Sequence, residues 1–573
     1  MFSNNSKVEV QKKLRLKSTN RLSPALWPVK ASVKRFEEVD EGCQSVAVPR
    51  CASRLETLAY AVLFAAAFIY GAYDFYEAIG SQPNLVLPAE QLTAGWLADW
   101  QESLSIPLES EMMAGYKYYL LACLGFLLVS QLTLRLAPRW VHYLSTAGCT
   151  FAATVLVIGA RKSLYLLLLF CGEIVLAYFS WAAVWALGLA ALMLQNSNHW
   201  IDILDTGTLS QKGYMESLFY PISGYLYCRC ISAGLSLNQM LRDQRRQPAD
   251  EAQQLSLLQF LKLHLPRALA YGFYLPWHFS GPILTFADFC REAERPDRLV
   301  WKPNLLLLLA WRATRLLVWM LLLQVLHHFL PVGAFLESIR SYESVPYKRL
   351  VFSMYLHGQN FMLVYVQLYG WPGLVSSIDG VELPHWPDCI SRVYTYRQMW
   401  RVFDRGLASF MYSHIYIPMG GSRHGIVRQV AAVAASFAFV SIYHGDSTSV
   451  RIWAALNAFH LLLEIAACRL YEWKLKAWLS RRVSPANHQR LVAYIIGFNL
   501  AVTSCFIFVF LIGDVSALLF IVEIFKPLLL YRPWWHLFVG LLLTYFTVQL
   551  SLRYEECVEA KRKKVNKVCQ KIN

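Results

Sequence analysis

Residues 430–443 read VAAVAASFAFVSIY, an uncharged run preceded by Arg428 and closed by His444 and Gly445. As a helix its fourteen residues measure ~21 Å, short of the ~30 Å hydrocarbon core of a bilayer. Its start, beside Arg428, belongs at the cytosolic face, where basic residues collect. Travelling inward from there places His444 below the headgroups, where Gly445 lets the chain turn. A polar side chain at that depth faces the protein interior or a water-filled cavity. The residues alone leave a structural histidine and a catalytic one equally open. His278, His327, His328 and His460 also stand in apolar surroundings.

Similar runs recur on both sides, over about 58–76, 118–136, 140–159, 163–194, 303–330, 351–371, 452–468, 491–512, 515–530 and 534–550. Several reach the ~20 residues that a spanning helix requires. The stretch 257–286 is interrupted by Pro266, Pro276, Gly281 and Pro282, and such broken backbone is tolerated at membrane depth only where protein or a cavity covers it. The reading is an all-α polytopic membrane protein of about ten transmembrane helices plus re-entrant segments.

Composition agrees. Of 573 residues 56% are hydrophobic, 14% aromatic and only 16% charged, against about 25% charged in a soluble domain. No polar linker divides the middle of the chain. The formal charge of +16 sits at the two ends and between apolar runs, as topology signals do, and no recognition motif for nucleic acid accompanies it. The thirteen cysteines include no CxxC pair, and Cys228 and Cys230 are too close for usual zinc spacing.

Charge also sets an orientation. The N-terminal stretch, with Lys12, Lys13, Arg15, Lys17, Lys34 and Arg35, reads as cytosolic, and the first apolar run, near Leu58, as an uncleaved first helix. The loop from about Ala78 to Gly115 has no Lys or Arg and reads as luminal. The C-terminal stretch, with Lys561, Arg562, Lys563 and Lys564, is cytosolic again, so the number of spans is even.

Chemistry concentrates between Tyr394 and Asn457. There YTYRQMWRVFDRGLASFMYSHIYIPMGGSRHG leads through the apolar run to IYHGD and WAALN. Between Arg392 and Arg428, four arginines face a single acid, Asp404. Arg397, Arg401 and Arg405, at i, i+4 and i+8, form one face if the segment is helical. Such a stripe suits either the phosphates of a cytosolic ligand or anionic lipid headgroups. Asp404, set among aromatics, needs a partner; pairing with Arg401 or Arg405 is its structural reading. IPMGG, Ile417 to Gly421, reads as a turn.

The pattern MWRVFDRGLASFMYSHIYIPMGG, then FAFVSIYHG, then WAALN resembles the membrane-bound O-acyltransferase superfamily, and within it the hedgehog acyltransferases. The resemblance extends to SGPILTFADF (Ser280 to Phe289) and to IDGVELPHWPDCIS, and it covers the N-terminal third by hydropathy only. It implies a helix bundle around a central tunnel, with a transmembrane acyltransferase domain over 57–552 between basic cytosolic tails at 1–56 and 553–573. His444 falls on the superfamily's near-invariant histidine. Asp404 falls on the second catalytic position, where many relatives carry asparagine and the hedgehog acyltransferases aspartate. Arg401, Trp400 and Tyr416 match positions lining the acyl-CoA site. Cys389 aligns with an axial haem b ligand of the vertebrate enzymes, although Asp388 stands where arginine is expected.

The implied reaction moves palmitate from palmitoyl-CoA to the N-terminal cysteine amine of a secreted signalling protein, Hedgehog or an EGF-like ligand such as Spitz. It would run in the endoplasmic reticulum membrane or that of the Golgi, with membrane lipids and no nucleic acid as further partners. Burying a sixteen-carbon chain at ~0.8 kcal/mol per CH₂ supplies on the order of 10 kcal/mol to hold the donor. Two other readings stay open: an acyltransferase of the same superfamily acting on a lipid or a serine hydroxyl, and a transporter. Against the transporter, no inverted repeat is legible.

Overall fold

The computed structural model describes residues 53–81, 92–94, 101–103, 107–196, 209–246, 255–295, 303–338, 345–445, 447–512 and 535–572. The N-terminal tail, the apolar run 515–530 and half of the acidic loop 78–115 lie outside the described residues.

The chain is a multi-pass membrane protein built from helices. In order these are α1 Arg54–Ser81, α2 Pro107–Leu136, α3 Arg139–Ile158, α4 Ala160–Phe179, α5 Trp181–Gln195, α6 Leu209–Arg245, α7 Leu257–Gly272, α8 Leu275–His278 and α9 Phe286–Ala293. Then follow α10 Pro303–Phe329, α11 Val332–Ser338, α12 Tyr347–Ile378, α13 Tyr396–Phe403, α14 Arg405–Met411, α15 Ile426–His444, α16 Thr448–Leu470, α17 Lys476–Arg482, α18 Pro485–Ile512 and α19 Trp535–Ile572. A short antiparallel pair, β1 Leu92–Ala94 and β2 Gln101–Ser103, lies between α1 and α2. Among the described residues nine helices are long and apolar enough to cross a membrane. The main packed pairs are α18 with α19, α4 with α6, α10 with α12, and α15 with α16.

Three expectations change. The run 163–194 is two helices, because Ser180 adopts an extended backbone (φ −155°, ψ 133°) and its hydroxyl caps α5 by accepting from the Ala182 N–H. The helix ending at His444 starts at Ile426 rather than Val430, so its 19 residues measure ~28 Å, close to a full crossing. The arginine stripe is interrupted, because the backbone leaves helical geometry at Asp404 (φ −121°, ψ 86°) and Arg405 opens a separate helix, α14.

From residue 268 to 286 the broken stretch is almost wholly buried, and side chains satisfy its backbone. Arg229 of α6, fully buried, donates through Nη1 to the Gly272 carbonyl at 3.3 Å and through Nη2 to the Trp277 carbonyl at 2.6 Å. Tyr119 donates to the Pro276 carbonyl at 2.7 Å, and Tyr271 to that of Leu284 at 2.6 Å. These bonds meet the requirement that non-helical backbone inside a membrane protein find protein partners. The same segment is tied to α2 and α12 through Asp379, which accepts from Ser130 at 2.6 Å and from Tyr274 at 2.8 Å.

Candidate active site

Two short helices carry the motif. The Thr395 hydroxyl caps α13 by accepting from the Gln398 N–H at 3.3 Å. Asp404 ends α13 and caps α14, with Oδ1 accepting from the Leu407 N–H at 2.8 Å. An aspartate is well suited to both tasks, since its short carboxylate reaches back to a free helix N–H. Oδ2 accepts from the Tyr369 hydroxyl of α12 at 2.7 Å, and Tyr369 lies 3.3 Å from the hydroxyl of Tyr225 on α6. Among the described residues these groups, rather than Arg401 or Arg405, hold the carboxylate. Arg405 instead pairs with Asp388 at 2.9 Å. Burial raises the Asp404 carboxyl above its ordinary range, opposed by the Leu407 N–H and the Tyr369 hydroxyl.

The placement of α14 depends on Gly406. A Cβ there would overlap the Ile283 carbonyl oxygen and stand 2.8 Å from the Ile283 nitrogen. Backbone packs directly on backbone, joining the SGPIL segment to the residues after Asp404.

His444 is the last residue of α15, and Gly445, at φ +115°, takes the chain away from the helix. Aromatic edges hold the imidazole: its centroid lies 5.1 Å from Phe510 of α18 and 5.6 Å from Trp453 of α16, both near perpendicular. Among the described residues no hydrogen bond reaches the ring.

His444, Asp404 and Trp400 line one cavity of about 90 Å³, walled otherwise by apolar and aromatic side chains such as Phe403, Tyr365 and Phe510. Trp400 packs 5.5 Å from Trp453. Gly358, Ile390, Met399 and Ile507 line this cavity and also a second, of about 560 Å³, formed by α1, α12, α18 and α19 and almost wholly apolar. A small chamber holding two polar residues therefore adjoins a large greasy one.

Arg401 and Tyr416 do not line the small chamber. Tyr416 lies on the π-helical turn Tyr412–Tyr416 and receives a hydrogen bond from Gln429 at 3.4 Å, and Gln429 in turn accepts from Arg469 at 2.6 Å. Cys389 is half-buried at the start of the turn Ile390–Arg392 and lines neither cavity. The carboxylate of Asp388 adjoins it, and among the described residues no three His, Cys, Asp or Glu side chains converge as for a metal ion. Asp388 is itself paired with Arg405 and lies 4.0 Å from Arg392, and nothing in these surroundings supports the haem expectation. No step below passes through haem.

Sequence reasoning missed Tyr369, Phe510 and the packing role of Trp453. Tyr365 and Tyr369 stand at i and i+4 in α12, a shared face that offered a signal. Trp453 lay within the quoted WAALN, whereas nothing marked Phe510.

The family described as MBOAT, membrane-bound O-acyltransferase family, matches residues 170–507, more than half of the chain. The protein-cysteine N-palmitoyltransferase HHAT of Mus musculus is 33% identical over 300 residues, covering 52% of this chain and 59% of that protein. The protein-cysteine N-palmitoyltransferase Rasp of Drosophila melanogaster is 30% identical over 257 residues, 44% of this chain and 49% of that protein. The membrane-bound O-acyltransferase GUP2 of Saccharomyces cerevisiae is 25% identical over 215 residues, 37% of this chain and 33% of that protein. The chain thus spans about half the length of the mouse HHAT and fly Rasp proteins.

Proposed function

The chain belongs to the membrane-bound O-acyltransferase family, and from that premise we propose that it transfers palmitate from palmitoyl-CoA to the N-terminal cysteine amine of a secreted signalling protein. The mouse and fly relatives described above, both named protein-cysteine N-palmitoyltransferases, support that acceptor class over a lipid, and Hedgehog or EGF-like ligands such as Spitz are its candidate members. The observation that carries the reading is the meeting of His444 and Asp404 on one small chamber that adjoins a large apolar cavity. The chamber holds the thioester, and the apolar cavity takes the acyl chain. Arg401 and Tyr416, off the chamber wall, belong with the CoA moiety.

The acceptor amine has an ordinary pKa near 7.7–8.0 and must first lose its ammonium proton to solvent. As the neutral amine attacks, His444 takes a proton from the attacking nitrogen as general base. A carbon–nitrogen bond forms at the thioester carbonyl, the carbon–sulfur bond breaks, and the imidazolium returns the proton to the departing CoA thiolate. Asp404, held by Tyr369 and the Leu407 N–H, supplies a fixed negative charge that favours the imidazolium. The reaction would take place in the endoplasmic reticulum membrane, with both termini cytosolic.

The test incubates purified protein with labelled palmitoyl-CoA and a peptide beginning with cysteine, beside parallel arms containing lysolipid or sterol. Label on the peptide amine, lost in a folded His444→Ala variant, supports the reading. Label on lipid alone, or equal transfer by His444→Ala, overturns it.

A further inference from the structure

One face of α16 reaches both halves of the candidate site. Trp453, Asn457, His460 and Glu464 follow at i, i+4, i+7 and i+11, all four are buried, and such spacing aligns them along the helix. Trp453 packs on the His444 ring at 5.6 Å. Glu464, about 16 Å further along, meets the start of α13. Its Oε2 accepts from the Tyr396 N–H at 2.6 Å and from Asn499 Nδ2 at 3.1 Å, and its Oε1 accepts from the Arg397 N–H at 3.1 Å.

With the Thr395 hydroxyl on the Gln398 N–H, the first three N–H groups of α13 are all satisfied, two of them by a carboxylate from another helix. That placement is favourable twice over: helix N-termini attract negative charge, and bonds from backbone N–H to a carboxylate are charge-assisted. The need is real, because α13 has only eight residues and helices that short do not hold themselves together in isolation. Trp400 sits one turn into α13 and Asp404 ends it, so whatever anchors its start sets their position.

We propose that Glu464 is a positioning residue of the acyl-transfer site: by capping α13 from α16 it places Asp404 and Trp400 against the His444 that the same helix face supports. This rests on the reading of His444 and Asp404 as the reacting centre. Glu464 touches no reacting atom, and its effect passes through α13.

The test compares full-length wild type, Glu464→Ala and Glu464→Gln in detergent, by hydrogen exchange over residues 393–404 and by palmitoyl transfer. Glu464→Ala is expected to speed exchange at Tyr396 and Arg397 while other helices stay protected, and to lower kcat by on the order of tenfold to a hundredfold. KM for palmitoyl-CoA should stay within about twofold, the mark of an interaction that matters in the transition state. Glu464→Gln, which keeps one acceptor oxygen, should fall between, and it carries the test if the alanine variant does not fold. Unchanged exchange at Tyr396 and Arg397 overturns the proposal. So does a local rise in exchange with wild-type kcat, or a rise across all helices with activity tracking the folded fraction. Absence of transfer by wild type, or full transfer by His444→Ala, counts against the reaction rather than the cap, which the exchange measurement decides separately.

Discussion

Tyr369 donates its hydroxyl proton to Asp404 Oδ2 across 2.7 Å, while the other carboxylate oxygen of Asp404 caps α14. One acid thus joins the long helix α12 to the junction of the two short helices that carry the motif. Losing a buried hydrogen bond to a charged group costs about 1.5–3 kcal/mol. Tyr369→Phe should therefore lower kcat by roughly tenfold to a hundredfold if Asp404 acts in the transition state, measured as initial rates of palmitoyl transfer to the peptide.

The same variant should move the acid limb of the pH profile. Burial raises the Asp404 carboxyl, and the Tyr369 hydroxyl opposes that rise by stabilising the charged form. Without the hydroxyl the carboxyl protonates at a higher pH. The acid limb of kcat should therefore shift upward in Tyr369→Phe, and a profile identical to wild type would detach Asp404 from the rate.

Removal of the imidazole is a sharper test. His444→Ala should reduce transfer by ~10²–10⁴-fold, the usual worth of a general base. Removal of the ring leaves no hydrogen-bond partner unsatisfied among the described residues, so the variant should remain monodisperse on size exclusion. Transfer within about threefold of wild type would remove His444 from the chemistry.

Gly406 has no space for a side chain, since Ile283 backbone occupies the place of a Cβ. Gly406→Ala should destabilise the protein by about 1–3 kcal/mol or more, as overpacking does. Thermal unfolding in detergent reads the effect, and an unchanged midpoint would contradict the close approach of α14 to the SGPIL segment.

Gly358 lines both cavities, and its Cβ position lies 3.5 Å from Ile390 Cδ1. A leucine there would add bulk to the wall that the two cavities share. Gly358→Leu should lower transfer from palmitoyl-CoA well below wild type and spare transfer from a short-chain acyl-CoA. Equal losses for both donors would show that the long chain does not run past Gly358.

Much of the architecture was legible in the chain because membrane-spanning helices announce themselves locally. Fourteen apolar residues ending at His444, or the leucines of α10, need no knowledge of their neighbours to be read. The interruption at Ser180 was not legible, since one serine in an apolar run is compatible with a continuous helix and only its extended backbone shows the break. Likewise the spacing of Arg397, Arg401 and Arg405 presumed a helix that Asp404 ends.

By itself the sequence determined the membrane class and a motif containing His444, Asp404 and Trp400. Only the tertiary structure decided that those three share a chamber, that Arg401 and Tyr416 stand off its wall, and that Asp404 is held by Tyr369 rather than by an arginine beside it. The reason is physical. Hydropathy and charge act residue by residue along the chain, whereas the partners of Asp404 and the aromatic support of His444 come from other helices. Those partners are chosen by packing, which no local pattern records.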